Sequence, residues 1–183
     1  MIQIFTVCVL FQINMNWGII SCGKISNDFC LALKSKAKRH DHKIIGCAAR
    51  NIENSEKFAA THDIPTFYGN YQELLNDQRV EIVYIGSINT CHFENCKEAI
   101  NAGKHVVCEK PLVLNSEEAV VLFDLAKEKK VFLMEAMWSR FMPIYVELKD
   151  MIETGKLGKI HSASANFTTK MDSLPRIFNK NMA

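Results

Sequence analysis

The sequence predicts an α/β protein built on a doubly wound parallel sheet, and two observations support this fold class. Five short apolar runs recur along the chain, and each is followed by a segment with helical periodicity. The runs are continuously apolar, which is typical of strands that are covered on both faces of a parallel sheet. Because right-handed crossovers join such strands, their carboxyl ends should lie along one edge. The predicted strands are Trp17–Ile20, Lys43–Ala48, Glu81–Ile85, His105–Cys108 and Val131–Met134.

Amphipathic segments between these runs predict helices. In each segment the apolar residues recur at helical spacing and form one stripe. Gly103 provides a left-handed C-cap for the second helix, and Asn115 with Glu118 resembles a capping box for the third. The stripes are Ile25, Phe29, Ala32 and Leu33 in the first helix, Phe93, Cys96 and Ile100 in the second, and Ala119, Leu122, Phe123 and Ala126 in the third.

The pattern changes after Trp138. A further helix is predicted to end at Gly155, and residues 158–169 are predicted to form one extended strand. The apolar residues of that helix are Tyr145, Leu148 and Ile152. No sixth strand–helix repeat follows, so we expect a first domain over residues 15–138 and the beginning of an incomplete α+β domain over residues 139–183.

The composition argues against several classes of protein. The 183-residue chain carries 22 Lys and Arg against 20 Asp and Glu, a net charge of +2, which leaves no concentrated basic face for nucleic acid. No apolar run reaches the ~20 residues of a membrane-spanning helix. The seven cysteines show no repeating spacing, which argues against a disulfide framework and favours the reducing cytoplasm. Residues 4–11 could be the core of a signal peptide, but no Lys or Arg precedes them.

The turn after the first predicted strand carries part of a dinucleotide-binding fingerprint. Of the pattern G-x-G-x-x-G/A the sequence keeps the central Gly23, with Ser21 and Ser26 at the outer positions. Gly23 would let the backbone approach a pyrophosphate at the N-terminus of the next helix. Ser21, Gly23, Lys24 and Ile25 are therefore candidate cofactor contacts. The alternative is a glycine that serves only the turn.

Arg50 follows the second predicted strand, where an NAD-binding protein would carry an acid that holds the ribose 2′-hydroxyl. Residues 47–51 contain no acid. A carboxylate would repel a 2′-phosphate, whereas a guanidinium can pair with it through two hydrogen bonds. Arg50 therefore favours NADP over NAD, with an exposed arginine at the start of a helix as the alternative.

Two further loops, after the third and fourth predicted strands, would open on the same crevice. Pro111 biases Lys110 towards extended geometry, so that its ammonium could polarise a carbonyl or hydroxyl during hydride transfer. A solvated lysine is the alternative. The other candidate cofactor contacts of these loops are Ser87, Asn89, His92 and Glu109.

Metal and hydrolase sites are not indicated. Cys91, His92 and Cys96 lack a second ligand pair at the spacing of a structural zinc site. The sequence also has no G-x-S-x-G elbow, which a hydrolase with a Ser–His–Asp triad would need.

Several motifs together resemble the glucose–fructose oxidoreductase and inositol dehydrogenase superfamily. The triplet Glu-Lys-Pro at 109–111 is a mark of this superfamily, and the segments 62–65 and 68–75 also fit it. The string Met-Glu-Ala-Met-Trp-Ser-Arg-Phe at 134–141 and the pair Ala-Arg at 49–50 point to its branch of dimeric trans-dihydrodiol and NADP-dependent D-xylose dehydrogenases.

This resemblance implies an NADP-dependent oxidoreductase with a nucleotide-binding half and an open-faced sheet half. Lys110 would be the catalytic lysine, and Tyr84 and His92 would help to place the coenzyme or substrate. Trp138 and Arg140 would contact the substrate, which would be a small polyol, a pyranose sugar or a trans-dihydrodiol. A full-length relative would be a homodimer.

The chain departs from the family pattern at both ends. Residues 1–14 precede the usual start, and family members continue beyond Ala183 to a segment with Asp-x-Gly-x-Tyr, whose tyrosine and aspartate complete the active site. We therefore expect a truncated member. A chain that binds NADP without turnover is the alternative to a working dehydrogenase.

Overall fold

Six parallel strands form one sheet in the computed structural model, in the order β3-β2-β1-β4-β5-β6. The structure describes residues 15–36, 42–166 and 168, so the predicted extension over residues 1–14 lies outside the described part. The strands are β1 (Asn16–Ile20), β2 (Lys43–Ala48), β3 (Thr66–Tyr68), β4 (Ile82–Ile85), β5 (His105–Cys108) and β6 (Leu133–Glu135). The helices are α1 (Lys24–Lys36), α2 (Ile52–His62), α3 (Tyr71–Asn76), α4 (His92–Asn101), α5 (Ser116–Lys129) and α6 (Pro143–Glu153).

The strand order confirms the predicted doubly wound sheet. The chain runs outward from β1 to β3, returns to the other side of β1 at β4, and then runs outward to β6. The reversal between β1 and β4 is the switch point at which such sheets bind ligands. All the turns that follow the carboxyl ends of the strands therefore lie along one edge of the sheet.

The five predicted strands are present, and the structure adds a sixth. β3 pairs with the outer side of β2 and has three residues, of which Phe67 is 37% exposed. Because β3 is short and partly exposed, it lacks the continuous apolar run by which the other five strands were predicted.

The sheet is the centre of the hydrophobic core. Ile19, Ile20, Val83, Ile85 and Val106 are fully buried, because helices cover both faces of the central strands. Each such side chain contributes roughly 1.5–3 kcal/mol relative to an exposed position.

The predicted stripe of α1 was right for Phe29 and Leu33, which are partly buried, and wrong for its other two residues. Ile25 is 42% exposed and Ala32 is exposed, while Ser26 and Cys30 are fully buried. Ser26 faces inward because its hydroxyl donates to the carbonyl oxygen of Ser21 at 2.6 Å. The helix is thereby rotated from the orientation that apolar spacing favours.

The other two helices follow the prediction more closely. On α4, Cys96 and Ile100 are fully buried, and Gly103 adopts a left-handed φ of 74°. On α5, Leu122 and Ala126 are buried, but Phe123 is 43% exposed, contrary to the predicted stripe. The capping interaction of α5 is present, since Oδ1 of Asn115 accepts a hydrogen bond from the backbone N–H of Glu118 at 2.8 Å.

The described residues divide into two compact units with the boundary between Glu135 and Ala136. In the second unit, a 3₁₀ turn (Trp138–Phe141) precedes α6, and Gly155 follows the helix with a φ of 72°. The predicted strand over residues 158–169 was wrong for its described part, where residues 158–166 and 168 form no strand. A strand needs a neighbour to complete its hydrogen-bond ladder, and no other strand lies among the described residues of this unit.

None of the helices within the described ranges is both long and apolar enough to cross a membrane.

Candidate functional site

A tight turn at the carboxyl end of β1 begins the site. Ser21 has a φ of 75°, a left-handed conformation that favours glycine. Its N–H donates to the carbonyl oxygen of Ala48 at 3.0 Å, which fixes the turn to the end of β2. The same serine accepts the hydrogen bond from Ser26, so both sides of the turn are held in place.

Gly23 lies in open space at the N-terminus of α1. A Cβ at this position would meet no atom within 4 Å, and Gly23 is not among the residues with positive φ. The protein's own packing therefore does not require glycine here, contrary to the alternative of a purely structural glycine. The space it leaves lies beside the first N–H groups of the helix, which attract anions.

Gly86 has the opposite environment, just after β4. A Cβ here would collide with Oγ of Ser26 and would lie 3.1 Å from Cγ2 of Ile25 and from Cε1 of Tyr84. Gly86 thus allows α1 to pack closely against the end of β4. Predicted contact Ile25 belongs to this packing and does not line the cleft described next.

A cleft of about 870 Å³ opens between the β1–α1 turn, the end of β2 and one face of α2. The predicted residues Ser21, Gly23, Lys24 and Arg50 all line it. Lys24, Arg50 and Lys57 bring three positive charges, and none of the described residues that line the cleft is an acid. The lining therefore suits an anionic ligand.

Arg50 lies two residues after the end of β2 and lines the cleft. It is exposed and forms no ion pair with a described residue. The next residue, Asn51, caps α2 by accepting a hydrogen bond from the N–H of Glu53 at 2.8 Å, which fixes the backbone beside Arg50. The guanidinium thus lies beside a capped helix end, with no carboxylate among the described residues paired to it.

Sequence reasoning missed the α2 side of the cleft and Tyr71. Asn54, Lys57, Phe58 and Thr61 recur at spacings of three and four, so they share one helix face that lines the cleft. The spacing of these four residues is visible in the sequence and could have predicted their shared helix face. Tyr71 comes from the start of α3, and burial raises the pKa of its phenol, although Arg50 and a hydrogen bond with the Ser21 side chain oppose the shift.

The predicted residues of the β4–α4 loop do not line the cleft. His92 is fully buried, with Nδ1 2.7 Å from the carbonyl oxygen of Pro111 and Nε2 3.1 Å from that of Ser87. The Ser87 hydroxyl accepts a hydrogen bond from Nδ2 of Asn95 at 2.9 Å. These side chains join the loop after β4 to the loop after β5. Asn89 begins a short 3₁₀ turn (Asn89–Cys91) that precedes α4.

Tyr84 and Glu109 make a second connection, between strand β4 and the loop after β5. The Tyr84 hydroxyl donates to Oε1 of Glu109 at 2.8 Å, and its ring stacks on Phe29 with the centroids 3.9 Å apart. Burial, followed by the hydrogen bond with Glu109, raises the pKa of Tyr84. The phenol therefore stays protonated and keeps its role as donor.

Lys110 is exposed at the carboxyl end of β5, on the same edge of the sheet as the cleft. Its backbone N–H donates to Oε2 of Glu109 at 3.2 Å, and the peptide bond to Pro111 is cis. Its ammonium forms no ion pair with a described residue. Lys110 does not line the cleft. The predicted substrate residues Trp138 and Arg140 belong to the second unit, where both are exposed.

Comparison with protein families gives a match over most of the chain. A family model described as "Oxidoreductase family, NAD-binding Rossmann fold" matches residues 15–137. A trans-1,2-dihydrobenzene-1,2-diol dehydrogenase of Xenopus laevis is 40% identical over 166 residues, which are 91% of this chain and 50% of that protein. The enzyme of the same name from Homo sapiens is 37% identical over 169 residues, again 50% of its length. The chain thus spans about half the length of the curated relatives it matches.

Solved structures give the same fold. An NAD binding oxidoreductase from Klebsiella pneumoniae superimposes with a TM-score of 0.75 at 30% identity, over 79% of this chain and 40% of that one. A 3-ketoreductase from Actinomadura kijaniata, in complex with NADP and TDP-benzene, gives 0.71 at 27% identity, over 78% and 43%. A levoglucosan dehydrogenase, in complex with NADH and levoglucosan, gives 0.74 at 27% identity, over 80% and 41%. These similar structures thus include one with NADP bound and one with NADH bound.

Proposed function

The chain belongs to the oxidoreductase family with an NAD-binding Rossmann fold, and we propose that its cleft binds NADP for hydride transfer to or from a small hydroxylated substrate. The single observation that carries the choice of NADP is the charge of the cleft. Its described lining holds three cations and no acid, and Arg50 stands at the end of β2 in place of a carboxylate. A phosphate on the ribose would find a guanidinium there, whereas an acid would repel it.

The rest of the cleft fits the same cofactor. The N-terminus of α1 and the open space at Gly23 suit the pyrophosphate, because unpaired N–H groups point to that position. Lys24 would add a positive charge beside it, and Tyr71 would offer a neutral phenol to the ribose side. The face of α2 around Asn54 and Phe58 would form the outer wall.

Lys110 is the residue we propose as catalytic. When bound, the nicotinamide supplies the carbon that accepts or releases the hydride. Lys110 would hydrogen-bond to the reacting oxygen of the substrate and take up or return its proton. The hydrogen bond between Tyr84 and Glu109 and the contacts of His92 with both loops would fix the position of the lysine. In this scheme Tyr84, Ser87 and His92 are positioning residues.

The substrate we propose is a trans-dihydrodiol, a pyranose sugar such as D-xylose, or a small polyol. The relatives' name supports the trans-dihydrodiol, and the levoglucosan dehydrogenase among the similar structures supports a sugar. Trp138 and Arg140 stay the predicted substrate contacts. The homodimer and the cytoplasmic location stay predictions.

The test of the cofactor proposal is charge reversal at Arg50. We expect Arg50→Asp to weaken NADP binding by at least about tenfold, since a charge-assisted phosphate contact contributes roughly 1.5–3 kcal/mol. NAD binding should hardly change. The matched control is Lys127→Asp on the exposed surface of α5, which should affect neither cofactor. An equal loss of both cofactors in the Arg50 variant would contradict the phosphate contact.

A second candidate function is NADP binding without turnover, which is favoured by the position of Lys110 outside the lining of the cleft. The two candidates differ in one measurement. Protein fluorescence would be titrated with NADP, and nicotinamide reduction would then be followed by absorbance with D-xylose or a trans-dihydrodiol present. Binding together with turnover supports the dehydrogenase, whereas binding alone supports the second candidate.

A further inference from the structure

Glu135 ends β6, the strand beside the one that leads to Lys110. β6 pairs with β5, and Glu135 lies opposite Cys108, the last residue of β5. The carboxyl ends of both strands lie on the edge of the sheet that carries the cleft. Glu135 is half-buried and forms no ion pair with a described residue. Its carboxylate is therefore available for a contact with the neighbouring loop.

That contact is made with the loop after β5 (residues 109–115). Oε1 of Glu135 accepts a hydrogen bond from the backbone N–H of Leu112 at 3.0 Å. Leu112 lies two residues after Lys110, and its side chain is buried in the core. A hydrogen bond from a backbone N–H to a carboxylate is stronger than one between neutral groups. Glu135 thus ties the loop to β6 at a residue close to Lys110.

The part of the loop around Lys110 depends on side chains for its backbone hydrogen bonds. The three residues from Lys110 to Leu112 belong to neither helix nor strand, so no regular ladder supplies partners for their N–H groups. The N–H of Lys110 donates to Glu109, and Pro111 has no N–H. The remaining N–H, that of Leu112, donates to Glu135. Each backbone donor of these three residues is therefore held by a carboxylate.

We propose that Glu135 is a positioning residue of the site: by holding the N–H of Leu112, it sets the place of the Lys110 ammonium beside the bound nicotinamide. This inference rests on the proposed function, in which Lys110 takes up or returns the substrate proton. Proton transfer needs the lysine within hydrogen-bond distance of the reacting oxygen, and a displacement of about 1 Å can lower a rate by roughly 10²-fold. Glu135 acts through the loop and exchanges no proton itself.

The burial of Leu112 separates the position of the lysine from the stability of the fold. Its side chain packs among the buried residues of the core, which would keep the loop attached without the hydrogen bond. Lys110 and Pro111 are exposed, so packing constrains them less. Loss of the Glu135 contact should therefore displace the lysine while most of the stability of the fold is kept.

The experiment follows the reactivity of Lys110 in the full chain. The chain is treated with a limiting amount of an acetylating N-hydroxysuccinimide ester, with and without NADP, and the acetylation of each lysine is measured by peptide mass spectrometry. Lys127, an exposed lysine of α5, is the internal reference. With NADP at about ten times its Kd, roughly a tenth of the sites stay free. Because the nicotinamide would cover Lys110, its acetylation should fall by about fivefold to tenfold relative to Lys127.

Three variants of Glu135 test its role. Glu135→Ala should lose most of the protection of Lys110, while its NADP affinity should stay within about twofold because Arg50 is unchanged. Glu135→Gln keeps an oxygen acceptor on a side chain of the same length, so it should restore the protection. Glu135→Asp keeps the charge but is one methylene shorter, so it should resemble Glu135→Ala. The aspartate variant also provides the test if the alanine variant does not fold.

Glu118→Ala is the matched control. Oε2 of Glu118 accepts from the N–H of Leu114 at 3.3 Å, in the same loop but beyond Leu112. This variant should leave the protection of Lys110 unchanged, although hydrogen exchange at Leu114 becomes faster. Exchange at the Leu112 amide should become at least about tenfold faster in Glu135→Ala and stay near the wild-type rate in Glu135→Gln.

Three results would overturn the inference. The first is wild-type protection of Lys110 in the alanine and aspartate variants of Glu135. The second is a Glu135→Gln chain that behaves like Glu135→Ala, because the charge and not the hydrogen bond would then matter. The third is an equal loss of protection in Glu118→Ala, which would show that any loosening of the loop has the same effect.

Failure of the proposed function gives a different result, because it is visible in the wild-type chain. NADP that binds to the wild type without protecting Lys110 contradicts the catalytic placement of this lysine. A wild-type chain that does not bind NADP contradicts the cofactor proposal. When NADP protects Lys110 equally in the wild type and in Glu135→Ala, the proposed function stands and the role of Glu135 is overturned.

Discussion

The hydroxyl of Tyr84 donates a hydrogen bond to Oε1 of Glu109 across 2.8 Å, and this contact joins the end of β4 to the residue before Lys110. Tyr84 is 2% exposed, so water cannot replace the bond. The second carboxylate oxygen of Glu109 accepts from the N–H of Lys110 at 3.2 Å. One carboxylate therefore links a buried strand to the backbone of the proposed catalytic lysine.

The first prediction removes this bond while keeping the ring. Tyr84→Phe should lower the free energy of unfolding by about 1–3 kcal/mol, because Glu109 loses a partner in a half-buried position. Urea denaturation measures this loss. The same change at the exposed phenol of Tyr145 is the matched control and should have no effect. Equal stability of both variants would show that the bond contributes nothing to the fold.

The second prediction compares two glycines on the same edge of the sheet. Gly23→Ala should leave stability almost unchanged, since a Cβ there meets no atom within 4 Å, but should weaken NADP binding where the pyrophosphate approaches. Gly86→Ala should destabilise the fold by about 1–3 kcal/mol, because its Cβ would collide with Ser26.

Thermal unfolding and NADP titration on both variants would test this pair. We expect Gly23→Ala to bind NADP more weakly while it keeps its melting temperature. We expect Gly86→Ala to melt at a lower temperature. A Gly23→Ala chain that binds NADP normally would show that the pyrophosphate does not approach this position.

The sheet could be predicted because its central strands β1, β4 and β5 are almost wholly buried and are therefore continuously apolar. The exceptions depend on contacts between distant residues. Ser26 is buried because Gly86, far along the chain, lets α1 approach β4, and the apolar spacing of α1 carries no trace of this. β3 has three residues and shows no run of its own.

The residues of the candidate site also fall into two groups, those that the sequence could predict and those that it could not. Ser21, Gly23 and Arg50 were predictable because each follows a strand whose carboxyl end must lie at the ligand-binding edge. Tyr71 was not, since it reaches the cleft from a helix that follows the short edge strand. The burial of His92 was also hidden, because its partner Pro111 belongs to another loop.

The third prediction concerns acid pH. Asp77 ends α3 with a carboxylate that is 9% exposed and accepts hydrogen bonds from Arg79 Nη2 at 2.8 Å and from Tyr68 Oη at 2.7 Å. The bonds from Arg79, followed by that from Tyr68, hold the pKa of Asp77 well below its usual value of 3.8, although burial opposes them. The unfolded chain therefore binds a proton near pH 4 that the folded chain does not bind.

The stabilisation from Asp77 is accordingly complete above about pH 5 and is lost as the pH falls through the folded pKa. Asp77→Asn should reduce the free energy of unfolding by about 1.5–3 kcal/mol at pH 7 and should flatten its fall at acid pH. Urea denaturation at pH 7 and pH 3 measures both effects. Asp124→Asn, at an exposed position of α5, is the control and should keep the wild-type dependence on pH. An unchanged acid slope in the Asp77 variant would contradict the assignment.

The fourth prediction tests Lys110 in a fusion of this chain to the half of its Xenopus laevis relative that the match does not cover. Lys110→Met should lower kcat by roughly 10²–10⁴-fold, because proton transfer to or from the substrate oxygen is lost. Lys110→Arg should also lose most of kcat, since a guanidinium keeps its proton, but its KM should change less because the positive charge remains. Lys127→Met, an exposed lysine of α5, is the matched control. If Lys110→Met retains kcat while Lys127→Met behaves like the wild type, Lys110 is a solvated lysine and another group must handle the proton.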